Sequence, residues 1–343
     1  MISKIEVNLE SNIPIYKQLI NNIHHLIDTG VLKKGDFVPS LNDLSTKLQI
    51  SKETVKKAYI ILRDNEVLES TQGKGYFVSK EGNGRIKVLL LLDKLSTYKH
   101  VLLNSFYRVM GNKAEINIRL FNQDIEVFEH FLDQVLDSYD YYVITPHFPL
   151  DSVIQTRAIN ALGRVPNRKL LLLDRNIFNL PGNFSAVYQD YENDIYDGLF
   201  QGLKEIKSFN KLNIIAMPSS LYASFIIKGI IKFCVNYGID YEIISNISSN
   251  RIQKNEVYLI LNSQMDHELI NLIRVAKQKG YEIGRDIGLI SYNESPINEI
   301  ILNGLSVLST DFEQMGRIAA EMILEKSIKK IKCDFKLIRR STF

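Results

Sequence analysis

From residue 86 onward the chain alternates short apolar runs with amphipathic stretches, and this rhythm restricts the fold more than any other feature. The runs are KVLLLLD (87–93), INIRLF (116–121), YYVIT (141–145), KLLLLD (169–174), LNIIAM (212–217), YEII (241–244), VYLIL (257–261) and IGLISY (287–292). Short continuous apolar runs read as strands buried on both faces. Between them lie helical patterns such as EVFEHFLDQVL and HELINLIRVAKQKG. Strand and helix in alternation imply parallel sheets with helices on both sides. About eight strands over roughly 250 residues point to two lobes rather than one sheet.

The first 80 residues follow another pattern: short helices, then a glycine-bearing hairpin. KEGNGR (80–85) is polar, holds two glycines and has no periodicity, so it reads as a linker. The expected organisation is a small helical module at 1–80, a linker at 81–85 and a two-lobed body at 86–343. A hydrophobic fraction of 45% excludes a disordered chain. A net charge of only +3 means that any affinity for nucleic acid must be local. Two cysteines, Cys234 and Cys333, are too few for a disulfide framework or a thiolate metal site. There is no signal-peptide core and no apolar stretch approaching a membrane span, so the expected address is the cytoplasm.

In the N-terminal module, Pro14 opens a helix whose Ile15, Leu19, Ile23 and Ile27 share one face, and Gly30 ends it. Ser40 caps a second helix, with Asp43 three residues on and Leu41, Leu44 and Leu48 turned inward. After the turn Gln49-Ile50-Ser51, Ser51 caps a third helix. Val55, Ala58, Tyr59 and Leu62 form its inner face, and Lys52, Glu53, Lys56 and Lys57 its outer face. Two helices joined by a tight turn, the second with lysines outward, fit a helix-turn-helix. The hairpin VLESTQGKGYFVSK follows, with Gly73, Lys74 and Gly75 at its turn. The residues expected to meet DNA are Ser40, Asn42, Ser51, Lys52, Glu53, Thr54, Lys56, Lys57, Gly73, Lys74 and Gly75. A lysine cluster alone is more often a solvated face; the ordered series of capped helices and hairpin is the specific signal.

This series resembles the GntR-type winged helix of bacterial regulators over residues 13–78, through Pro39, Ser40, Leu44, Ser51, Thr54, Val55, Ala58, Leu62, Gly73, Gly75, Phe77 and Val78. The resemblance implies that a homodimer binds double-stranded operator DNA at a roughly palindromic site. The family often has arginine where this chain has Asn42 and Lys52, so its base preference is expected to differ.

The remainder resembles the periplasmic sugar-binding fold that serves as effector domain in LacI-type repressors. LLLDRN (171–176), AVYQDYENDIYDG (186–198), DIGLISYNES (286–295), LSVLSTDFEQMGRIAAEMIL (305–324) and LIRRST (337–342) carry that likeness. The fold class expected is therefore α/β, an N-terminal winged helix-turn-helix followed by a periplasmic-binding-protein-like domain with Rossmann-like lobes. Ligands of such folds sit at the C-terminal ends of strands. The candidate effector residues are Asp93, Lys94, Thr145, His147, Asp174, Arg175, Asn262, Gln264, Asn293 and Glu294, with Tyr98, Phe148 and Tyr222 as stacking faces. The family pattern matches Asp174 and Arg175 directly. Its second-lobe arginine, which grips sugar hydroxyls, has no counterpart; Ile226 stands there. That favours another orientation or a less polar ligand such as a deoxysugar, within a class of pentoses, hexoses and deoxyhexoses. Asp174-Arg175 also reads as a structural ion pair, His147 as an ordinary loop histidine, and each aromatic as core.

No nucleophile elbow, Walker loop or dinucleotide fingerprint is found, and His24-His25 has no metal-ligand spacing to acids. The expectation is a sugar-responsive regulator, in the first instance a repressor of carbohydrate utilisation. It is expected to be no enzyme and to need no metal or cofactor. Two rivals stay open: a sugar-modifying enzyme with a fused DNA-binding domain, and a regulator whose C-terminal domain only dimerises.

Overall fold

The computed structural model describes residues 5–11, 13–71, 75–79, 85–136, 138–216, 221–245, 247–248, 251–261 and 267–343. Most of the expected linker, 81–84, lies outside these residues.

The N-terminal module consists of α1 (Ile15–Asp28), α2 (Leu41–Leu48), α3 (Lys52–Asp64), β1 (Leu68–Thr71) and β2 (Gly75–Val78). Its caps form as the sequence predicts: the Ser40 and Ser51 hydroxyls accept from the Asp43 and Thr54 amides, each at 3.1 Å. Gln49, at φ 54, turns the chain between α2 and α3. Leu19, Ile23, Leu44, Val55, Ala58, Tyr59 and Leu62 are buried together, and Leu68 and Val78 of the hairpin close this core. The Tyr59 hydroxyl donates to the Pro39 carbonyl at 2.8 Å, which ties α3 to the entrance of α2. β1 and β2 pair antiparallel from Leu68 opposite Val78 to Thr71 opposite Gly75. Gly75 holds φ 99, a backbone state that side-chain-bearing residues rarely adopt.

The body contains two six-stranded sheets. The first lobe is built on β3 (Ile86–Leu92), β4 (Ala114–Leu120), β5 (Tyr141–Ile144), β6 (Leu170–Asp174), β7 (Ser185–Tyr188) and β13 (Lys330–Lys332), in the order β13-β7-β6-β5-β3-β4. Its covering helices are α4 (Thr97–Met110), α5 (Ile125–Val135), α6 (Ser152–Gly163) and α11 (Phe312–Glu325). The second lobe is built on β8 (Leu212–Ile215), β9 (Tyr241–Ile244), β10 (Val257–Ile260), β11 (Gly288–Tyr292), β12 (Ser306–Thr310) and β14 (Phe335–Ile338), in the order β14-β12-β11-β10-β8-β9. α7 (Tyr191–Gln201), α8 (Leu203–Ile206), α9 (Ala223–Tyr237) and α10 (His267–Lys279) belong to it.

All eight expected strands are present. The sheets also take in β7 and β12, which lie within or at the start of the segments 186–198 and 305–324 that carry the likeness, and the short edge strands β13 and β14. All described pairings in the body strands are parallel except β12 with β14. β5 and β6 are buried nearly throughout because each lobe is covered on both faces.

The chain passes between lobes at Gln189–Asp190, at Asp311 and at Cys333–Asp334. These strands are sewn together: the Asp311 amide donates to the Asp334 carbonyl and the Cys333 amide to the Tyr188 carbonyl, both at 2.8 Å. Gly316 of α11 lets the backbone of α4 approach closely; a Cβ there would meet the Leu102 carbonyl oxygen at 2.1 Å. Gly163, the last residue of α6, has open space instead. Gly316→Ala is therefore expected to destabilise the protein by about 2 kcal/mol despite the better helix propensity of alanine. Gly163→Ala is expected to leave stability unchanged or raise it by up to about 1 kcal/mol. Urea unfolding of both variants checks this; a Gly316→Ala protein as stable as the parent would refute the close approach.

Candidate functional site

Two surfaces hold the candidate residues. The first is the outer face of the helix-turn-helix. Asn42, Ser51, Lys52, Glu53, Lys56 and Lys57 are exposed, as is the Ser40 cap, and Thr54 is half-buried. Ser51 and Thr54 also join their hydroxyls at 2.8 Å, fixing the first turn of α3. Lys56 has only a loose contact with Glu53 at 3.8 Å between well-exposed side chains, which holds it weakly. Lys57 is directed elsewhere, over the ring of Tyr16 at 3.9 Å. Gly73 and Lys74 lie outside the described residues; Gly75 is exposed at the start of β2.

The second surface is the cleft between the lobes. At the C-terminal ends of β3, β5 and β6 the first lobe gathers Asp93, Thr145, His147 and Asp174, all buried. Thr145 donates its hydroxyl to Asp93 at 2.8 Å and accepts the Asp93 amide at 2.9 Å. Lys99, on the first turn of α4, is 1% exposed and pairs with Asp93. Asp174 is fully enclosed. His147 Nε2 lies 3.1 Å from its carboxylate, the Tyr98 hydroxyl donates to it at 3.3 Å, and the Gln189 amide donates to its other oxygen.

Burial alone pushes both carboxyls up, since it penalises charge. For Asp93 the charges of His147 and Lys99 overcome this and hold it below the usual range. For Asp174 the charge and hydrogen bond of His147, then Lys99 and Gln189, hold it at about 2.

Arg175 does not pair with Asp174. It donates to the Pro146 carbonyl at 3.2 Å and to the Tyr222 hydroxyl at 3.3 Å, and it lies over the Tyr222 ring. Tyr222 enters from the second lobe, just before α9. Its ring stacks on Tyr191 at 5.0 Å and meets the His147 ring edge-on at 5.0 Å. Burial raises its hydroxyl to about 12, so it stays protonated and able to donate.

From the second lobe, Asn293 and Tyr292 stand at the end of β11. Among the described residues, Asn293 Oδ1 and the Tyr292 hydroxyl find no hydrogen-bond partner in their buried positions, and neither do the two amide atoms of Asn176, beside Arg175. Buried polar atoms of this kind call for a partner. Asp174 and Asn293 hold φ of 71 and 69, one at the strand end of each lobe. Such left-handed residues are uncommon outside glycine and gather where side chains are aimed.

Several sequence candidates fall elsewhere. Lys94 is exposed, and the cation that reaches the carboxylates is Lys99. Phe148 packs against Phe121 and Phe128 in the first-lobe core. Tyr98 stacks on Phe312 and turns only its hydroxyl to the cleft. Glu294 is held by Arg340 at 2.6 Å and by Asn298. Ile226 is buried in the second-lobe core. Asn262 and Gln264 lie outside the described residues. The sequence reading passed over Lys99, Asn176, Gln189, Tyr191, Tyr292 and Thr310. Gln189 had one visible signal, its place in the QDYEN segment between lobes.

A winged helix with an outward recognition helix, carried on a two-lobed body of the binding-protein type, defines a transcription regulator. The pattern of bacterial regulatory proteins of the gntR family matches residues 15–78, and that of the periplasmic binding protein-like domain matches residues 261–333. The HTH-type transcriptional repressor YtrA of Bacillus subtilis is 32% identical over 98 residues, 29% of this chain and 72% of that one. The chain belongs to the gntR family of bacterial regulatory proteins.

The body shares its fold with the lac repressor bound to ONPG in the repressed state, at a TM-score of 0.60 and 16% identity over 85% of this chain and 90% of that one. A periplasmic binding protein/LacI transcriptional regulator from Alkaliphilus metalliredigens, complexed with D-xylulofuranose, gives 0.54 at 15% identity over 75% and 98%. No helix among the described residues is long and apolar enough to cross a membrane.

The depressed carboxyl of Asp174 predicts an acid signature. A group whose folded value lies below its unfolded one stabilises the fold above the unfolded value, and that contribution vanishes as pH falls from about 4 to about 2. Its loss is on the order of 2 kcal/mol. Asp174→Asn is expected to show a correspondingly smaller drop in unfolding free energy across this window, measured in urea at several pH values. An unchanged drop would mean that Asp174 is not held ionised by its neighbours.

Proposed function

We propose that the chain is a cytoplasmic, homodimeric repressor of carbohydrate utilisation, whose winged helices hold a double-stranded operator and whose interlobe cleft binds a small sugar. The observation that carries this reading is that Arg175 and His147, from strand ends of the first lobe, both meet Tyr222 of the second. Asp174, Arg175, His147, Asn176 and Asn293 offer fixed donors and acceptors for hydroxyl groups. Tyr222 and Tyr191 offer flat faces for C–H surfaces. The second lobe brings no arginine to the site among its described residues; Arg175 reaches across from the first. A ligand short of one or more hydroxyls suits that balance.

The lobes are joined by three crossings and by a relay in which Thr310 donates to Gln189 at 3.0 Å and Gln189 donates to Asp174. Rotation about this seam is the natural two-state element. A sugar acts through it only to the extent that it binds one lobe arrangement better than the other. The spacing of the two winged helices then no longer matches the half-sites. D-xylulofuranose in the Alkaliphilus metalliredigens relative supports a sugar of this size.

The test is a DNA-binding assay on the chain's own upstream region, repeated with pentoses and deoxyhexoses. Affinity is expected to fall steeply with salt, as phosphate contacts require. Lys56→Ala is expected to weaken binding by about 1 kcal/mol or more. Arg175→Ala is expected to spare DNA binding and abolish the sugar response. A response that survives Arg175→Ala would remove the cleft assignment. Absence of any sugar-induced rise in melting temperature would favour a body that only dimerises.

A further inference from the structure

A cavity of about 1080 Å3 opens away from the cleft, where α1 of the winged helix meets the first lobe. Six lysines and arginines line it: Lys33, Lys34, Arg85, Arg168, Lys169 and Lys326. Among the described residues two carboxylates face them, Asp28 and Asp140, and both already have a partner. Lys87 lies 2.7 Å from Asp28, and His25 lies 2.6 Å from Asp140. Among the described residues, no ion pair engages Lys33, Lys34, Arg85, Arg168 or Lys326, all of which are exposed. The lining thus holds a larger positive surplus than the whole chain, whose net charge is +3.

Ile27, Leu32, Ile86, Tyr141 and Ile328 give the wall an apolar part, and Thr29 and Ser327 add hydroxyls. Crowded like charges around a concave surface raise the local concentration of anions. The volume far exceeds that of an inorganic ion and matches the upper range of organic-ligand pockets. We propose that this junction cavity is a second ligand site, which takes a phosphorylated organic molecule of about nucleotide size. Its phosphates meet the lysines and arginines, and its body lies on the isoleucines and Tyr141.

The position gives such a ligand leverage. Lys33 and Lys34 belong to the winged helix, whereas Arg168 and Lys326 belong to the first lobe. The two modules already touch here through His25–Asp140, Asp28–Lys87 and a hydrogen bond from Asn21 to Ser138 at 3.1 Å. A molecule gripping both sides fixes the winged helix on the body, and so alters DNA affinity independently of the cleft.

The experiment titrates the full chain with a nucleoside triphosphate and a sugar bisphosphate, with pyrophosphate as the headgroup alone, by calorimetry and thermal shift. Saturable binding of at least one organic phosphate is expected, about tenfold tighter than pyrophosphate. Lys33→Glu/Arg168→Glu is expected to weaken it about tenfold or more, and Arg175→Ala in the cleft to leave it unchanged. Lys34→Gln, at an exposed position, gives a milder loss and keeps the test decisive should the double variant fold poorly.

No binding by any of the three probes overturns the proposal, as does binding indifferent to the Lys33, Lys34 and Arg168 variants. If these variants weaken affinity for random duplex DNA while no probe binds, the cluster is a DNA-backbone contact and the proposal is likewise overturned.

Discussion

The body depends on one enclosed negative charge. Asp174 has no solvent exposure, yet it remains ionised because His147, Tyr98, Gln189 and the nearby Lys99 compensate the loss of water. Those four side chains come from different places: the loop after β5, the first helical turn after β3, and the segment that leaves for the second lobe. An unpaired buried carboxylate is costly, so each partner is held in place by the need of the others. The arrangement sets where β3, β5 and β6 end relative to one another, and through Gln189 and Thr310 it reaches the seam between lobes. Chemistry at the cleft floor and mechanics at the seam are thereby parts of one network.

How much of this was visible in the amino-acid order follows from the range of the forces involved. The caps at Ser40 and Ser51 and the apolar face of α3 are local, and they form as read. The eight apolar runs are also local, and each becomes a strand. β7 and β12 were overlooked as strands because they continue directly into the lobe-crossing turns, where polar residues mask the run. β13 and β14 are short edges whose place is set by pairing with β7 and β12.

In the candidate site, the grouping of Asp93, Thr145, His147, Asp174 and Arg175 was legible because strand ends in such folds point at the cleft. Lys99 was not, since a lysine seven residues beyond the strand reads as the solvent side of a helix; its burial depends on Asp93, six residues before it, and on Asp174, far away in sequence. Lys94, adjacent to the strand, was the more obvious choice and faces solvent. The pairing of Glu294 is hidden for a similar reason: Arg340, which engages it, is 46 positions away. Local pattern identifies which residues have suitable chemistry, but long-range pairing decides which of them are spent on the scaffold.

The three crossings mean that neither lobe is a continuous stretch of polypeptide. The first lobe needs α11 and β13 in addition to the segment ending at β7, and the second needs β14 in addition to the segment ending at β12. During synthesis the winged helix, complete by Val78, can fold as soon as it clears the ribosome. The first lobe must wait with α4 uncovered until α11 emerges more than two hundred residues later. A nascent chain of this design therefore completes its winged helix well before its two-lobed body, and a ribosome stalled in the second lobe would display a folded winged helix beside an unfinished body.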